Sequence, residues 1–192
     1  MALNWDRLAK DWENDALHRE FVDSAYATLI KTTTTEGKHI LDWGCGTGLM
    51  TEQVCFDAKS VVALDTSEAM IEELEYKKLS NVEPVVDELT RGLVAQHPAF
   101  RKQFDLVIAS SVCGYVSNIS QSLSIVYSLL DPGGYFIHWD WISEGEYDDG
   151  VSMLEMQDEL ILAGFNDVRV RQAFLIQTPA GERAVMMGVA VK

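Results

Sequence analysis

The sequence has little cysteine, few basic residues and no long hydrophobic run, and each shortage excludes a class of protein. Its three cysteines, Cys45, Cys55 and Cys113, are odd in number and lack Cys-x-x-Cys spacing, so we expect reduced thiols and no disulfide framework. The longest apolar runs have the length of a strand, which argues against a membrane partner. No basic-then-apolar signal sequence opens the chain, so we expect a cytoplasmic protein.

Basic residues are outnumbered two to one by acidic residues. Fifteen Lys and Arg face thirty Asp and Glu, which gives a net charge of -15. A phosphate backbone would be repelled unless the bases were gathered on one face, and they are dispersed. We therefore expect no nucleic-acid partner, while the oligomeric state is left open.

The order of apolar patterns predicts an α/β protein. With 192 residues and 47% apolar composition, the chain suits a single domain over residues 1–192. Strand patterns alternate with helical ones, which predicts a doubly wound, Rossmann-like sheet of seven mostly parallel strands with a C-terminal antiparallel hairpin. The predicted strands are 38–42, 60–65, 82–86, 104–110, 135–141, 168–177 and 183–191.

Helices are predicted between these strands and before the first of them. The predicted helices span 48–56, the segment after Ser67, 89–101 with a break near Pro98, 119–130 and 151–163, and a tight turn is expected at 131–134. Residues 1–35 are predicted to form a helical cover over the site, on a stripe that includes Trp5 and Trp12, ahead of a core from 38 to 192.

The segment from His39 to Gly48 contains a short apolar strand, an acid and three alternating glycines that open a helix. Glycine permits a sharp turn and leaves no side chain between the loop and a nucleotide-like ligand. Asp42 would repel the pyrophosphate of a dinucleotide and attract a cationic ligand. The spacing is also G-x-G-x-G, which differs from the dinucleotide fingerprint G-x-G-x-x-G.

Residues Asp42 to Gly48 resemble motif I of the class I S-adenosylmethionine-dependent methyltransferases. This resemblance implies S-adenosylmethionine as cofactor, with the charge of Asp42 directed at its ammonium group. The loop would surround the methionine moiety with Gly44, Cys45, Gly46 and Gly48, and Cys45 would serve as a small residue that fills the loop.

Further candidates for cofactor binding follow the second and third strands. Asp65 ends the second strand, where an acid can accept both ribose hydroxyls, although this acid alone would suit NAD equally well. Thr66 or Ser67, and Met70, could line the ribose and adenine. The resemblance implies an acid on the adenine amino group after the third strand, and both Asp87 and Glu88 fit that position.

Candidates for acceptor contact follow the fourth and fifth strands. Ser110, which is also a candidate for cofactor binding, stands where nitrogen-directed DNA and glutamine methyltransferases have Asn-Pro-Pro-Tyr. The absence of that motif favours a small-molecule methyl acceptor. Tyr115, His138 and Asp140 are the polar groups expected to touch it. His138 is the natural base for an oxygen nucleophile, or else a satisfied core histidine.

An acidic segment follows the fifth predicted strand. It is either a solvated loop or a site for a cationic substrate or metal, and its acids are Asp140, Glu144, Glu146, Asp148 and Asp149. The four histidines and the cysteines do not show a metal-ligand spacing, so we expect no metal.

Two other functions fit the same residues. An NAD-dependent oxidoreductase would use the glycine loop and Asp65 for a dinucleotide. A catalytically silent module would bind S-adenosylmethionine and act through a protein partner. The sequence favours a methyltransferase that acts on an unidentified small molecule.

Overall fold

All seven strands join one sheet, with the strand order β3-β2-β1-β4-β5-β7-β6. The computed structural model describes residues 4–143, 145 and 150–192. The strands are β1 (His39–Trp43), β2 (Ser60–Asp65), β3 (Val82–Val86), β4 (Phe104–Ser110), β5 (Leu130–Trp141), β6 (Asn166–Thr178) and β7 (Gly181–Val191). The helices are α1 (Trp5–Trp12), α2 (Ala16–Thr32), α3 (Leu49–Val54), α4 (Glu68–Tyr76), α5 (Arg91–Gln96), α6 (Ile119–Leu129) and α7 (Met153–Leu162).

The first five strands run parallel, and β7 runs antiparallel to both β5 and β6. This arrangement confirms the predicted doubly wound sheet with its C-terminal hairpin. The central strand β4 is buried on both faces from Leu106 to Ala109, as its continuous apolar run predicts. The order in which strands are added to the sheet reverses after β3, so that β4 lies on the other side of β1 from β2. A ligand crevice forms at such a switch point.

Helices cover both faces of the sheet. One apolar core joins it to α5, α6 and α7, whose Leu93, Leu123 and Met156 are buried there. The opposite face packs against α2 and α3, and α4 buries Ile71 and Leu74 beside β2. Within the described residues, no helix is both long and apolar enough to cross a membrane.

The predicted N-terminal helical segment is two helices separated by a break. Asp15 ends the break, because its side chain accepts a hydrogen bond from the Leu17 backbone N–H at 2.9 Å and caps α2. The inner face of α2 is buried from Phe21 to Leu29. Its Thr28 accepts a hydrogen bond from the indole of Trp139 on β5, which anchors α2 to the sheet.

One local prediction is wrong and another is confirmed. The segment 131–134 is an irregular part of β5 and not a tight turn, because Gly133 donates to the carbonyl of Lys192 and Lys192 donates to that of Gly134. The break predicted near Pro98 within 89–101 is confirmed: α5 spans Arg91–Gln96, and a single 3₁₀ turn spans Pro98–Phe100. Proline lacks the N–H that a continuous helix would need at this point.

A glycine on β7 leaves the space that a buried histidine occupies. Gly188 pairs with His138 on β5, and a Cβ atom added to Gly188 would lie 2.0 Å from His138 Nε2. The ring of His138 is fully buried. We predict that Gly188→Ala lowers the free energy of unfolding by about 1–3 kcal/mol through overpacking, measured by urea denaturation.

The control is Gly92→Ala on α5, where an added Cβ meets nothing closer than Thr90 Oγ1 at 3.7 Å. Alanine is the better helix former, so this variant should be unchanged or more stable by up to about 1 kcal/mol. Equal denaturation midpoints for both alanine variants would contradict the packing argument.

Candidate active site

A cavity of about 350 Å³ opens at the carboxyl edge of the sheet, over the switch point between β1 and β4. Its wall is built from the β1–α3 loop, the ends of β2 and β3, the segment after β4, and helices α1 and α2. Most of the predicted site residues lie on this wall: Asp42, Gly44, Cys45, Gly46, Asp65, Thr66, Met70, Asp87, Glu88, Ser110 and Tyr115.

The three glycines of the β1–α3 loop share a backbone conformation but have different surroundings. All adopt positive φ angles: 71° at Gly44, 56° at Gly46 and 86° at Gly48, a region that favours glycine. A Cβ atom on Gly44 would lie 2.4 Å from Val112, whereas one on Gly46 would have no neighbour closer than 4.0 Å and faces the cavity.

The structure does not place Gly48 with the other predicted cofactor residues. Gly48 is not on the described cavity wall. A Cβ atom added there would lie 2.3 Å from Leu74 Cδ1. Gly48 therefore permits the close approach of α3 to α4, and spacing alone could not distinguish this packing role from ligand contact.

Asp42 is a buried carboxylate with one oxygen left unsatisfied. Its Oδ2 accepts a hydrogen bond from Thr51 Oγ1 at 2.5 Å, while its buried Oδ1 has no partner among the described residues. Burial raises the pKa of Asp42 to about 7, against the hydrogen bond from Thr51, and the charge of Asp65 raises it further. A cation beside Oδ1 would supply the missing partner and favour the ionised form.

Asp65 ends β2 and connects two loops. Its Oδ2 accepts from the Gly46 backbone N–H at 2.8 Å, and its Oδ1 accepts from that of Ser67 at 2.9 Å. Burial raises the pKa of Asp65, although these hydrogen bonds oppose the shift. Each carboxylate oxygen retains a further acceptor position that a ligand hydroxyl could use.

The rim next to Asp65 is formed by residues that follow β2 and β3 in the chain. Thr66 is exposed and Met70 is buried, and both line the cavity. Asp87 and Glu88 are both exposed and both on the wall, so their positions leave the choice between them open. Cys45 is buried on the wall, and burial raises the pKa of its thiol well above the ordinary value, which keeps it protonated.

The charge on the cavity wall has a single sign. Among the residues that the structure describes, the wall has four carboxylates and neither lysine nor arginine. The carboxylates are Asp42, Asp65, Asp87 and Glu88. This wall would repel the pyrophosphate of a dinucleotide and would attract a cationic ligand.

Aromatic rings from the N-terminal helices and the strand ends enclose the other half of the cavity. Trp5 contacts Tyr115 edge to face at 5.0 Å between centroids, and contacts Trp12 at 5.9 Å. Trp12 stacks on His18 at 3.5 Å. Phe21 and Trp141 lie 5.2 Å apart and also line the wall. This half of the site suits a flat apolar molecule.

Polar contacts fasten α1 across the glycine loop. Glu13, directly after α1, accepts from Thr47 Oγ1 at 2.8 Å and forms an ion pair with Lys77 at 2.7 Å. At the other end of α1, Asp6 accepts a hydrogen bond from Ser67 Oγ at 2.5 Å. The helix therefore lies over the loop that a cofactor would contact.

His138 and Asp140 do not take the predicted positions beside a substrate. Both are buried, and neither is on the described cavity wall. His138 Nδ1 lies 2.7 Å from Asp140 Oδ2, and Asp140 Oδ1 accepts from the Cys113 backbone N–H. The placement favours the core-histidine interpretation and corrects the expectation that the pair touches an acceptor.

Cys113, His138 and Asp140 bring potential metal-ligand atoms within 4.8 Å of one another. Their mutual hydrogen bonds already account for the proximity. The network fixes the segment after β4, which contributes Val112 and Tyr115 to the wall. The acids Glu144, Glu146, Asp148 and Asp149 lie outside the described residues.

His18, Trp141 and Thr51 lie on or beside the wall and are not among the predicted site residues. Thr51 lies in the first turn of α3, directly after the glycine loop, and its hydroxyl donates to Asp42. A hydroxyl residue at the start of that helix is the signal in the sequence that points to it. Nothing in the local sequence marks His18 or Trp141, because long-range packing brings them to the cavity.

Comparisons with known proteins identify the family. A family model described as a methyltransferase domain matches residues 41–136, half of the chain. The chain is 34% identical over 140 residues to the demethylmenaquinone methyltransferase of Symbiobacterium thermophilum, covering 71% of this chain and 52% of that protein. It is 30% identical over 141 residues to the mitochondrial ubiquinone biosynthesis O-methyltransferase of Rattus norvegicus, covering 68% and 40%.

These two alignments span about half or less of the curated relatives' length. Among solved structures, the DhpI-SAH complex superposes with a TM-score of 0.75 at 20% identity, covering 97% of this chain and 92% of that one. The match to the methyltransferase domain confirms the family resemblance at Asp42 to Gly48, and S-adenosylmethionine is the cofactor of that family. The chain therefore belongs to the class I S-adenosylmethionine-dependent methyltransferases.

Proposed function

We propose that this chain transfers the methyl group of S-adenosylmethionine to a small molecule that has an apolar, ring-containing body and no negative charge. One observation carries the proposal: a single cavity combines a wall of four carboxylates without a described lysine or arginine with an aromatic second half. The first half suits a sulfonium cofactor, and the second suits a flat acceptor.

The unsatisfied oxygen of Asp42 supports a contact with the ammonium group of the cofactor. Its Oδ1 is buried without a partner in the described chain, and leaving such an atom unpaired is costly. We propose that Asp65 accepts the ribose hydroxyls, that Gly44, Cys45 and Gly46 surround the methionine moiety, and that Thr66 and Met70 line the adenosine. Asp87 or Glu88 would accept from the adenine amino group.

The acceptor half of the site is assigned on shape and charge. Bound S-adenosylmethionine supplies a methyl group already activated by the sulfonium, so alignment and exclusion of water provide much of the rate. We propose that Ser110 belongs to the cofactor side, that Tyr115 contacts the acceptor and that α1 covers the reacting atoms. Two relatives named for quinone biosynthesis support an apolar acceptor, and the net charge of -15 supports a small molecule over a nucleic acid.

Binding measurements with two cofactors and a panel of methyl acceptors test this function against its alternatives. Purified protein would be titrated calorimetrically with S-adenosylmethionine and with NAD, and S-adenosylhomocysteine formation would be measured with neutral, cationic and anionic nucleophiles. We expect binding of S-adenosylmethionine only, and turnover of ring-containing acceptors without a negative charge. Binding without turnover of any acceptor would favour the silent module, and tight binding of NAD would favour the oxidoreductase.

Asp65→Asn should weaken S-adenosylmethionine binding by about 2–4 kcal/mol, because the ribose hydroxyls lose a charged acceptor. Calorimetry measures the loss. The matched control is Asp158→Asn, an exposed acid on α7 that is not on the cavity wall, and it should bind as the wild type does. Wild-type affinity in Asp65→Asn would remove Asp65 from the cofactor site.

Asp42 should make cofactor binding depend on pH. Since its pKa is about 7 in the free protein, the carboxyl is mostly protonated at about pH 6 and mostly ionised at about pH 8, and a cationic ligand prefers the ionised form. Affinity for S-adenosylmethionine should therefore rise several-fold over this range, and the rise should be absent in Asp42→Asn. Calorimetry at both pH values checks this, and identical pH dependence in the two proteins would contradict it.

The raised pKa of Asp42 also predicts how the free energy of unfolding depends on pH. Between about pH 4 and pH 7 the folded protein holds a proton on Asp42 that the unfolded chain has lost, so the free energy of unfolding falls as pH rises through this window. The slope from this group is at most about 1.4 kcal/mol per pH unit. Urea denaturation of Asp42→Asn without ligand should show a shallower decline than the wild type.

A further inference from the structure

We propose that His18 is the catalytic base of this site and that it accepts the proton of a hydroxyl group on an aromatic acceptor. The inference rests on the proposed function, because it assumes methyl transfer within the same cavity. Of the four histidines in the sequence, His18 is the one on the described cavity wall.

His18 lies one aromatic ring away from the glycine loop. A Cβ atom added to Gly46 would lie 4.0 Å from Trp12 Nε1. The ring of Trp12 stacks in turn on His18, with 3.5 Å between centroids and an interplanar angle of 14°. The imidazole therefore stands beside the cofactor loop, on the side of the cavity that the N-terminal helices enclose.

One hydrogen bond sets the tautomer of His18. Its Nδ1 lies 2.8 Å from the carbonyl oxygen of Trp12, which ends α1 and lacks a helical partner for that oxygen. A carbonyl can only accept, so Nδ1 carries the hydrogen and Nε2 carries the lone pair of the neutral ring. Among the described residues Nε2 has no hydrogen-bond partner, which leaves it able to take a proton from a ligand.

His138, which the sequence suggests as a base, cannot accept a proton from the acceptor. His138 is fully buried, its Nδ1 is bound to Asp140, and its Nε2 lies against Gly188. His18 thus offers an imidazole nitrogen on the cavity wall, whereas the unpaired Nε2 of His138 is buried away from that wall.

The cavity indicates which acceptor would need such a base. Trp5, Tyr115 and Trp141 offer aromatic surface, and the described wall has no cationic side chain to hold an anion. A neutral phenolic ring fits both features. A phenol is mostly protonated at neutral pH because its ordinary pKa is about 10, and histidine is the side chain suited to remove that proton near neutrality.

The step balances without another reactant. The hydroxyl oxygen forms a bond to the methyl carbon, the carbon–sulfur bond breaks, and its electron pair stays on sulfur, which becomes a neutral thioether. The hydroxyl proton passes to Nε2, and the imidazolium then releases it to water.

The test compares two phenols of similar size and different acidity. In His18→Asn the side-chain amide can still donate to the Trp12 carbonyl, but it cannot act as a base. We expect kcat/KM for 4-ethylphenol to fall by about 10²–10⁴-fold. The more acidic 4-nitrophenol needs less help from a base, so its kcat/KM, measured at the same mildly acidic pH where both phenols are mostly neutral, should fall by less than about tenfold. The phenol pair is preferred to a pH profile because Asp42 titrates in the same cavity.

Two further variants separate chemistry from packing. His18→Phe retains a stacked ring without the base and should resemble His18→Asn, while His97→Asn, at the remote 3₁₀ turn Pro98–Phe100, should retain wild-type kinetics. Calorimetry should show wild-type affinity for S-adenosylmethionine in all three.

Three results would overturn the proposal: equal losses for both phenols, wild-type rates in His18→Asn, or no S-adenosylhomocysteine from either phenol with the wild type. If the wild type methylates amines or thiols and neither phenol, the methyltransferase function stands and the role of His18 falls.

Discussion

The carboxylate of Asp65 holds together the edge of the sheet on which the site depends. It accepts one backbone hydrogen bond from Gly46 and another from Ser67. Ser67 caps α4 through Met70 and also donates to Asp6 on α1. One side chain at the end of β2 therefore connects the glycine loop, α4 and the N-terminal cover. A change at any of these three elements would disturb the hydrogen bonds of the other two.

This arrangement gathers negative charge that the free protein does not neutralise. Asp42 is buried beside Asp65 with an unpartnered oxygen, and its raised pKa measures the cost of ionising it there. A ligand that brings positive charge relieves that cost, whereas an anion increases it. We therefore expect a preference for a sulfonium cofactor over a dinucleotide that depends on desolvation as much as on the glycine spacing.

Much of the fold and of the cofactor side could be predicted from the sequence, since both depend on local signals. The bounds of β2, β3 and β4 match the predicted ones, and their ends carry Asp65 and Ser110 to the cavity. The failures have long-range causes. The segment 131–134 follows its pairing with Lys192, and the direction of His138 follows its pairing with Gly188 on a strand distant in sequence.

The same distinction explains why the acceptor side was the harder part to predict. Its wall comes from helices that precede the sheet, and His18 reaches it only because α1 ends at Trp12 and the chain turns back into α2. The bond that satisfies the last carbonyl of α1 also fixes the tautomer of the imidazole. The end of α1 thereby determines which nitrogen of His18 carries the hydrogen on the cavity wall. The N-terminal helical cover thus both encloses the site and orients the proposed base.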